Sequence, residues 1–206
     1  MTFLAKVCGL ARAEDAAQAA EAGADLLGFV AHPPSPRHCA DLAIAAPHLD
    51  RAVLVMVAEA PEAVLAEARA FGFRRVQPHL PPGERLRGAA LLREAGLFVI
   101  LPWADAPGQT PAPVDLYLWE PNPAATGMAG GSGQGHAMAS PPPGPFLLAG
   151  GLDGEELPGR LSRMPAPVRP DLRGFDAASR LEAWPGRKDP GKVAAFIHAA
   201  HTLELP

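Results

Sequence analysis

Short apolar runs alternate with amphipathic, alanine-rich stretches along most of the chain. The runs at residues 3–7, 25–30, 52–57, 74–77, 97–101, 116–119, 146–149 and 172–177 read as eight strands. They are apolar almost without interruption, the mark of strands covered on both faces and so of a parallel sheet. Between them the period changes to a helical one. Residues 14–22 run to a stop at Gly23. Residues 61–71 open on Pro61 and stop at Gly72, and residues 84–95 stop at Gly96. Residues 190–200 follow Asp189 as N-cap, with Pro190 at the first helical position. Proline inside the start and glycine past the end fit helix termini. Residues 41–49 make a helix weakened by Pro47. Two connections break the alternation. Residues 102–113 have no helical pattern, and residues 121–145 are rich in Gly and Pro. Helices after strands five and six are therefore expected to be short or absent. Eight strand–helix units predict an α/β fold, a single (β/α)8 TIM barrel filling residues 1–206 as one domain. An open doubly wound sheet is the competing arrangement. No glycine-rich dinucleotide fingerprint follows the first strand, which disfavours it.

Charge narrows the class of partner. The net charge is -4 with a pI near 6.0, and no Lys/Arg run stands out, which argues against nucleic acid. No apolar stretch reaches the ~18 residues of a membrane span, and the chain opens directly on a strand, so the cytoplasm is the expected compartment. The prolines gather in short clusters that read as stiff connections. Cys8 and Cys39 belong to no CxxC pair or metal-ligand spacing, so no metal is expected.

Candidate chemistry lies at the carboxyl ends of the strands, where a barrel gathers its loops. Cys8 follows the first strand and precedes Gly9. A thiol there becomes a base or nucleophile if its pKa falls, and is otherwise a small interior residue. Gln77 and His79 end the fourth strand and Glu120 follows the sixth. Gly150 and Gly151 let the backbone approach an anion, and Asp153 with Glu156 has the spacing of a capping box. His198 and His201 sit in the last turn of the final helix, where imidazolium is favoured, and are not read as ligands.

Taken in order, these segments resemble one family. Lys6-Val7-Cys8-Gly9-Leu10, Gly23-Ala24-Asp25, Gly28-Phe29-Val30 and Ser35-Pro36-Arg37 are similar to the opening of phosphoribosylanthranilate isomerases. Val76-Gln77-Pro78-His79 resembles their Val-Gln-Leu-His, and Gly130-Gly131-Ser132-Gly133 their Gly-Gly-Thr-Gly. Leu148-Ala149-Gly150-Gly151-Leu152 and Pro185-Gly186 with Lys188-Asp189 match later signatures. The resemblance implies a (β/α)8 barrel that performs an Amadori rearrangement in tryptophan biosynthesis, without cofactor or metal. It implies Cys8 as general base, which requires a thiolate, and Arg37 as clamp for the anthranilate carboxylate. Gln77, His79 and Gly131 would contact substrate. Gly150, Gly151, Ser179 and Arg180 would bind its phosphate. Three positions depart from the pattern. Glu120 stands where the family carries an aspartate acid, one methylene shorter. Arg180 replaces a glycine, and the 130–140 loop offers fewer aromatic groups. Two other readings stay open: a degenerate barrel that binds a phosphorylated metabolite without turnover, and an isomerase of another amino-sugar phosphate. A monomer or homodimer acting on a small molecule is expected.

Overall fold

The computed structural model describes residues 2–121 and 137–205. Eight parallel strands form a closed barrel: β1 (Leu4–Cys8), β2 (Leu26–Val30), β3 (Ala52–Val57), β4 (Arg75–His79), β5 (Phe98–Ala104), β6 (Leu116–Glu120), β7 (Phe146–Leu148) and β8 (Leu172–Ala177). Neighbours pair in sequence order, and β1 closes the ring against β8 with Lys6 opposite Asp176. The open-sheet alternative is thereby excluded.

The strands carry two apolar faces. Successive side chains point to opposite sides. On β3, Val53 and Val55 join an inner cluster with Leu26, Ile100, Leu116, Leu118 and Leu147, while Ala52 and Leu54 join the larger outer layer. The same alternation puts Lys6 on the inner face of β1, between Leu4 and Cys8. Glycine fits the closest approaches. A Cβ on Gly174 would meet the backbone of Leu4 at 2.1 Å.

The outer layer is uneven. Helices α1 (Ala13–Glu21), α2 (Pro61–Phe71), α3 (Arg85–Glu94), α4 (Glu156–Arg163) and α5 (Pro190–Thr202) cover it. Helix α2 stops at Gly72, whose φ of 76° is left-handed. Asp189 caps α5, accepting from the amides of Gly191 and Lys192. The expected helix at 41–49 is instead a 3-10 helix, Leu42–His48, because Pro47 lacks the N–H that an α-helix needs there. No helix forms between β5 and β6. That connection is held by Gln109, which accepts from the Ala104 amide and donates to the Ala104 and Ala106 carbonyls. Most of the connection after β6 lies outside the described residues. After β8 the chain makes a small hairpin, β9 (Glu182–Trp184) and β10 (Arg187–Lys188). His201 reaches Asp25 at 2.9 Å, so the C-terminal turn is tied back to the start of β2. Among the described residues no helix is long and apolar enough to cross a membrane.

Candidate active site

The carboxyl ends of the strands surround one cavity. Cys8, Arg37, Gln77, His79, Glu120, Gly150, Gly151, Ser179 and Arg180 all line it. Nine of the ten residues singled out in the sequence thus share one mouth. The tenth, Gly131, lies outside the described residues. Among the described residues, no three His, Cys, Asp or Glu side chains are grouped to hold a metal ion.

Two glycines make room for the thiol and its neighbour. A Cβ on Gly28 would stand 2.8 Å from the Cys8 Sγ, and one on Gly9 would stand 2.6 Å from Arg37 Cδ. Gly9 also has a φ of 78°. A side chain at either position would displace Cys8 or Arg37.

Around Cys8 the sequence reading missed a buried ionic cluster. Lys6 is fully buried and donates to Asp176. Arg37 gives Nε to Glu182 Oε1 at 2.7 Å and Nη2 to Oε2 at 3.0 Å. Lys188 reaches the same Oε1 at 3.3 Å and the Ala178 carbonyl at 3.0 Å. Three cations therefore face two carboxylates, and a thiolate at Cys8 would balance the sum. Burial pulls the Lys6 ammonium down, but Asp176 and Cys8 outweigh it and its pKa ends above the usual value. A signal for this cluster existed. Lys6 is the one charge in an apolar strand, at the spacing that points it inward with Cys8.

A thiolate at Cys8 requires either a depressed pKa or loss of the proton when a ligand binds. Burial raises the Cys8 pKa above the usual 9.0, and the nearby Lys6 and Lys188 only offset that in part. The resting group is a thiol. Its proton must leave before it acts as a base, and the two ammonium groups are placed to hold the anion that results.

Across the cavity, Glu120 is buried at the end of β6. Desolvation, followed by the charge of Asp176, raises its pKa to about 8, against the opposing pull of Arg85 and Lys6. It holds a proton at neutral pH, as a general acid must. His79 goes the other way. Burial, then Lys6 and Arg85, lower its pKa to about 4, so the ring is neutral. Its Nε2 meets Gln77 Nε2 at 3.1 Å, which makes that ring nitrogen the acceptor. Gln77 Oε1 is buried beside the cavity with no hydrogen-bond partner among the described residues.

Arg37 presents a guanidinium with one edge already used. Glu182 takes the Nε–Nη2 side, and the Nη1 end makes no hydrogen bond among the described residues. The glycine turn has the backbone the sequence implied: φ is 93° at Gly150 and 62° at Gly151. Asp153 accepts from the amides of Glu155 and Glu156 at the start of α4. Glu156 does not return the bond of a capping box and points toward Arg160. Arg180 sits at the rim with Nη1 3.2 Å from Asp153. Its backbone carries no strain, since Met138 alone among described non-glycine residues has a positive φ.

No family model matches the chain. Relatives are nevertheless clear. The N-(5'-phosphoribosyl)anthranilate isomerase of Azorhizobium caulinodans is 35% identical over 99% of this chain and 94% of its own. Among solved structures, the phosphoribosyl anthranilate isomerase of Thermus thermophilus aligns with a TM-score of 0.74 at 27% identity, covering 98% of this chain and all of the other. Monomers generated from the dimeric enzyme of Thermotoga maritima align at 0.76 and 25% identity, with 98% and 100% covered.

Proposed function

Because the chain belongs to the N-(5'-phosphoribosyl)anthranilate isomerase family, we propose that it converts N-(5'-phosphoribosyl)anthranilate into 1-(2-carboxyphenylamino)-1-deoxyribulose 5-phosphate. The observation that carries the assignment of roles is the pairing of Cys8 with a protonated Glu120 across one cavity.

The phosphate rests against the Gly150–Gly151 turn and the loop at Ser179, with Arg180 at the rim. Arg37 receives the anthranilate carboxylate on its open end. Glu120 donates its proton to the furanose ring oxygen, and the C1–O bond breaks to leave a protonated Schiff base. Cys8, as thiolate, removes the proton from C2. The electrons move into the C1–C2 bond and neutralise the iminium, which gives an enol-amine. Protonation at C1 with loss of the enol hydroxyl proton from the C2 oxygen yields the ketone. No electron leaves the substrate, so no redox partner is needed. Lys6 and Lys188 stabilise the thiolate, and Asp176 holds Lys6 in place. The protein acts as one barrel domain of residues 1–206, as a monomer or homodimer in the cytoplasm.

Purified protein given fluorescent phosphoribosylanthranilate should consume it, and the signal should decay at a rate proportional to protein. Binding of the substrate without decay would replace this reading by that of a non-catalytic barrel.

A further inference from the structure

A second cavity, of about 290 Å³, opens on the other side of Glu120. It is lined mostly by apolar residues of β3, β4 and β5, such as Val57, Pro78, Leu101 and Pro102. Val57, His79 and Glu120 line both cavities, so they form the wall between them. Among the described residues the second cavity holds one cation, Arg85, at the start of α3, and one carboxylate besides Glu120, that of Glu59. Its guanidinium is not a loose surface group. It donates from Nη2 to the Pro102 carbonyl and from Nη1 to Gln109 Oε1 at 3.3 Å. Gln109 is itself fastened to Ala104 and Ala106. The strand register continues the chain of contacts. Pro102 pairs with Leu118 and Ala104 with Glu120, and the Asp105 amide donates to the Glu120 carbonyl. Arg85 is thus strapped to the strand beside β6, on the side of Glu120 away from Cys8.

We propose that Arg85 is the positioning residue of Glu120: strapped to β5, it draws the longer carboxyl to the dividing wall and stabilises the carboxylate left after proton donation. The inference rests on Glu120 being the acid of the proposed reaction. Glutamate has one methylene more than aspartate, and its carboxyl has two directions open to it. A fixed cation in one of them selects the resting place. The charges that act on Glu120 are Asp176 on β8, Lys6 on β1 and Arg85 on α3, and the carboxylate of Glu59 and the neutral ring of His79 line the second cavity with it. Asp176 favours its protonated form, and the two cations favour the ionised one. Lys6 is committed to Asp176 and Cys8. Among the described residues Arg85 forms no ion pair with a carboxylate, and its two hydrogen bonds go to neutral groups, Gln109 and the Pro102 carbonyl. The proton that leaves Glu120 goes to the ring oxygen, and the negative charge left behind is the one Arg85 faces.

The test uses the full chain with carboxyl-labelled glutamate. The Glu120 signal, identified by its loss in Glu120→Gln, is titrated by carbon NMR in wild type, Arg85→Gln and Arg85→Lys. Arg85→Gln should raise the Glu120 midpoint by ~1 pH unit, since a lost cation favours the neutral carboxyl. It should also lower kcat by roughly tenfold, a fraction of the ~10²- to 10⁴-fold that an acid contributes, with KM within about threefold. Arg85→Lys should restore the midpoint and most of kcat. A structural role alone would lower the melting temperature and leave the midpoint where it was. An unmoved midpoint in Arg85→Gln, or no recovery in Arg85→Lys, overturns the proposal. If wild type titrates as described but never consumes phosphoribosylanthranilate, the functional reading fails, independently of the Arg85 result.

Discussion

On the β8–β1–β2 flank of the mouth, buried groups keep their charges. Lys6, Lys188 and Arg37 stand against Asp176 and Glu182, within a cluster that is nearly water-free. On the β4–β6 flank, buried groups lose theirs. His79 is neutral and Glu120 protonated. Glu120 is as buried as the charged cluster, so for it burial alone does not make the difference. Partners do. An ion that has left water survives only beside an opposite charge. The first flank supplies such pairs within hydrogen-bond reach. On the second, Glu120 forms no ion pair among the described residues, and the charge of Asp176 on the facing flank favours its protonated form. One pocket can therefore hold an anion in waiting and a proton in waiting, as an enzyme that needs base and acid together requires.

The largest break in this comparison comes from the charged flank. Cys8→Ser should cut kcat by ~10² to 10⁴, the span for loss of a general base, with KM nearly unchanged. A hydroxyl is far less acidic than a thiol, and even two ammonium groups will not hold its anion near neutrality. A kcat within about threefold of wild type would remove Cys8 from the mechanism.

On the neutral flank, Glu120→Gln should be nearly inactive while still binding substrate, because glutamine keeps the shape and has no proton to give. The same variant should be more stable at alkaline pH. Folded Glu120 binds a proton up to about 8, whereas the unfolded carboxyl releases it near 4.5. Stability is therefore lost as pH rises through that window. At about 1.4 kcal/mol per unit, removing the group should gain on the order of a few kcal/mol at pH 8. Thermal melts at two pH values decide it: an equal shift at low and high pH would deny the buried proton. Glu120→Asp should not raise kcat, since a retreat of ~1 Å can cost ~10²-fold where the site is fitted to the longer side chain.

Both groups titrating high gives the pair an alkaline optimum. The productive form, with Glu120 protonated and Cys8 ionised, carries one proton between the two groups. It is populated between the lower midpoint, about 8, and the higher one, above 9.0. kcat/KM should climb by about tenfold per unit below the lower midpoint, as expected when one proton must leave. An optimum at or below pH 7 would place the thiol midpoint below that of Glu120 and dissolve the contrast between the flanks.

The smallest effect belongs to a position on neither flank. Gly150→Ala forces a side chain into a φ of 93°, which costs about 1 kcal/mol. It should raise KM about fivefold through the phosphate, by the tenfold-per-1.4 kcal/mol rule, and leave kcat alone. A large fall in kcat would mean that the turn does more than hold phosphate.

Much of this was legible in the chain because strand positions carry a period. The strands at 52–57 and 172–177 and the helix at 61–71 begin and end where their patterns do. Cys8, Glu120 and the glycine turn fall at strand ends, so counting along the strands is enough to bring them to one mouth. Pro47 marked the weak second helix, although not that it would tighten to a 3-10 turn. The ionic cluster was not legible. Arg37 and Glu182 are 145 residues apart, and Lys6 and Asp176 are 170 apart. No local pattern announces which of 18 basic residues meets which of 22 acidic ones.

The sequence by itself determined the strands, their inward and outward faces, and the residues delivered to the mouth, since alternation and turn chemistry act over a few neighbours. The tertiary structure alone decided the protonation. Whether Cys8 rests as thiol, whether Glu120 keeps its proton and whether His79 stays neutral depend on water excluded by the whole closed barrel. They depend equally on charges brought in from strands distant along the chain. Such fields act through space across the low-polarity interior, and only closure of β8 onto β1 sets the distances over which they act.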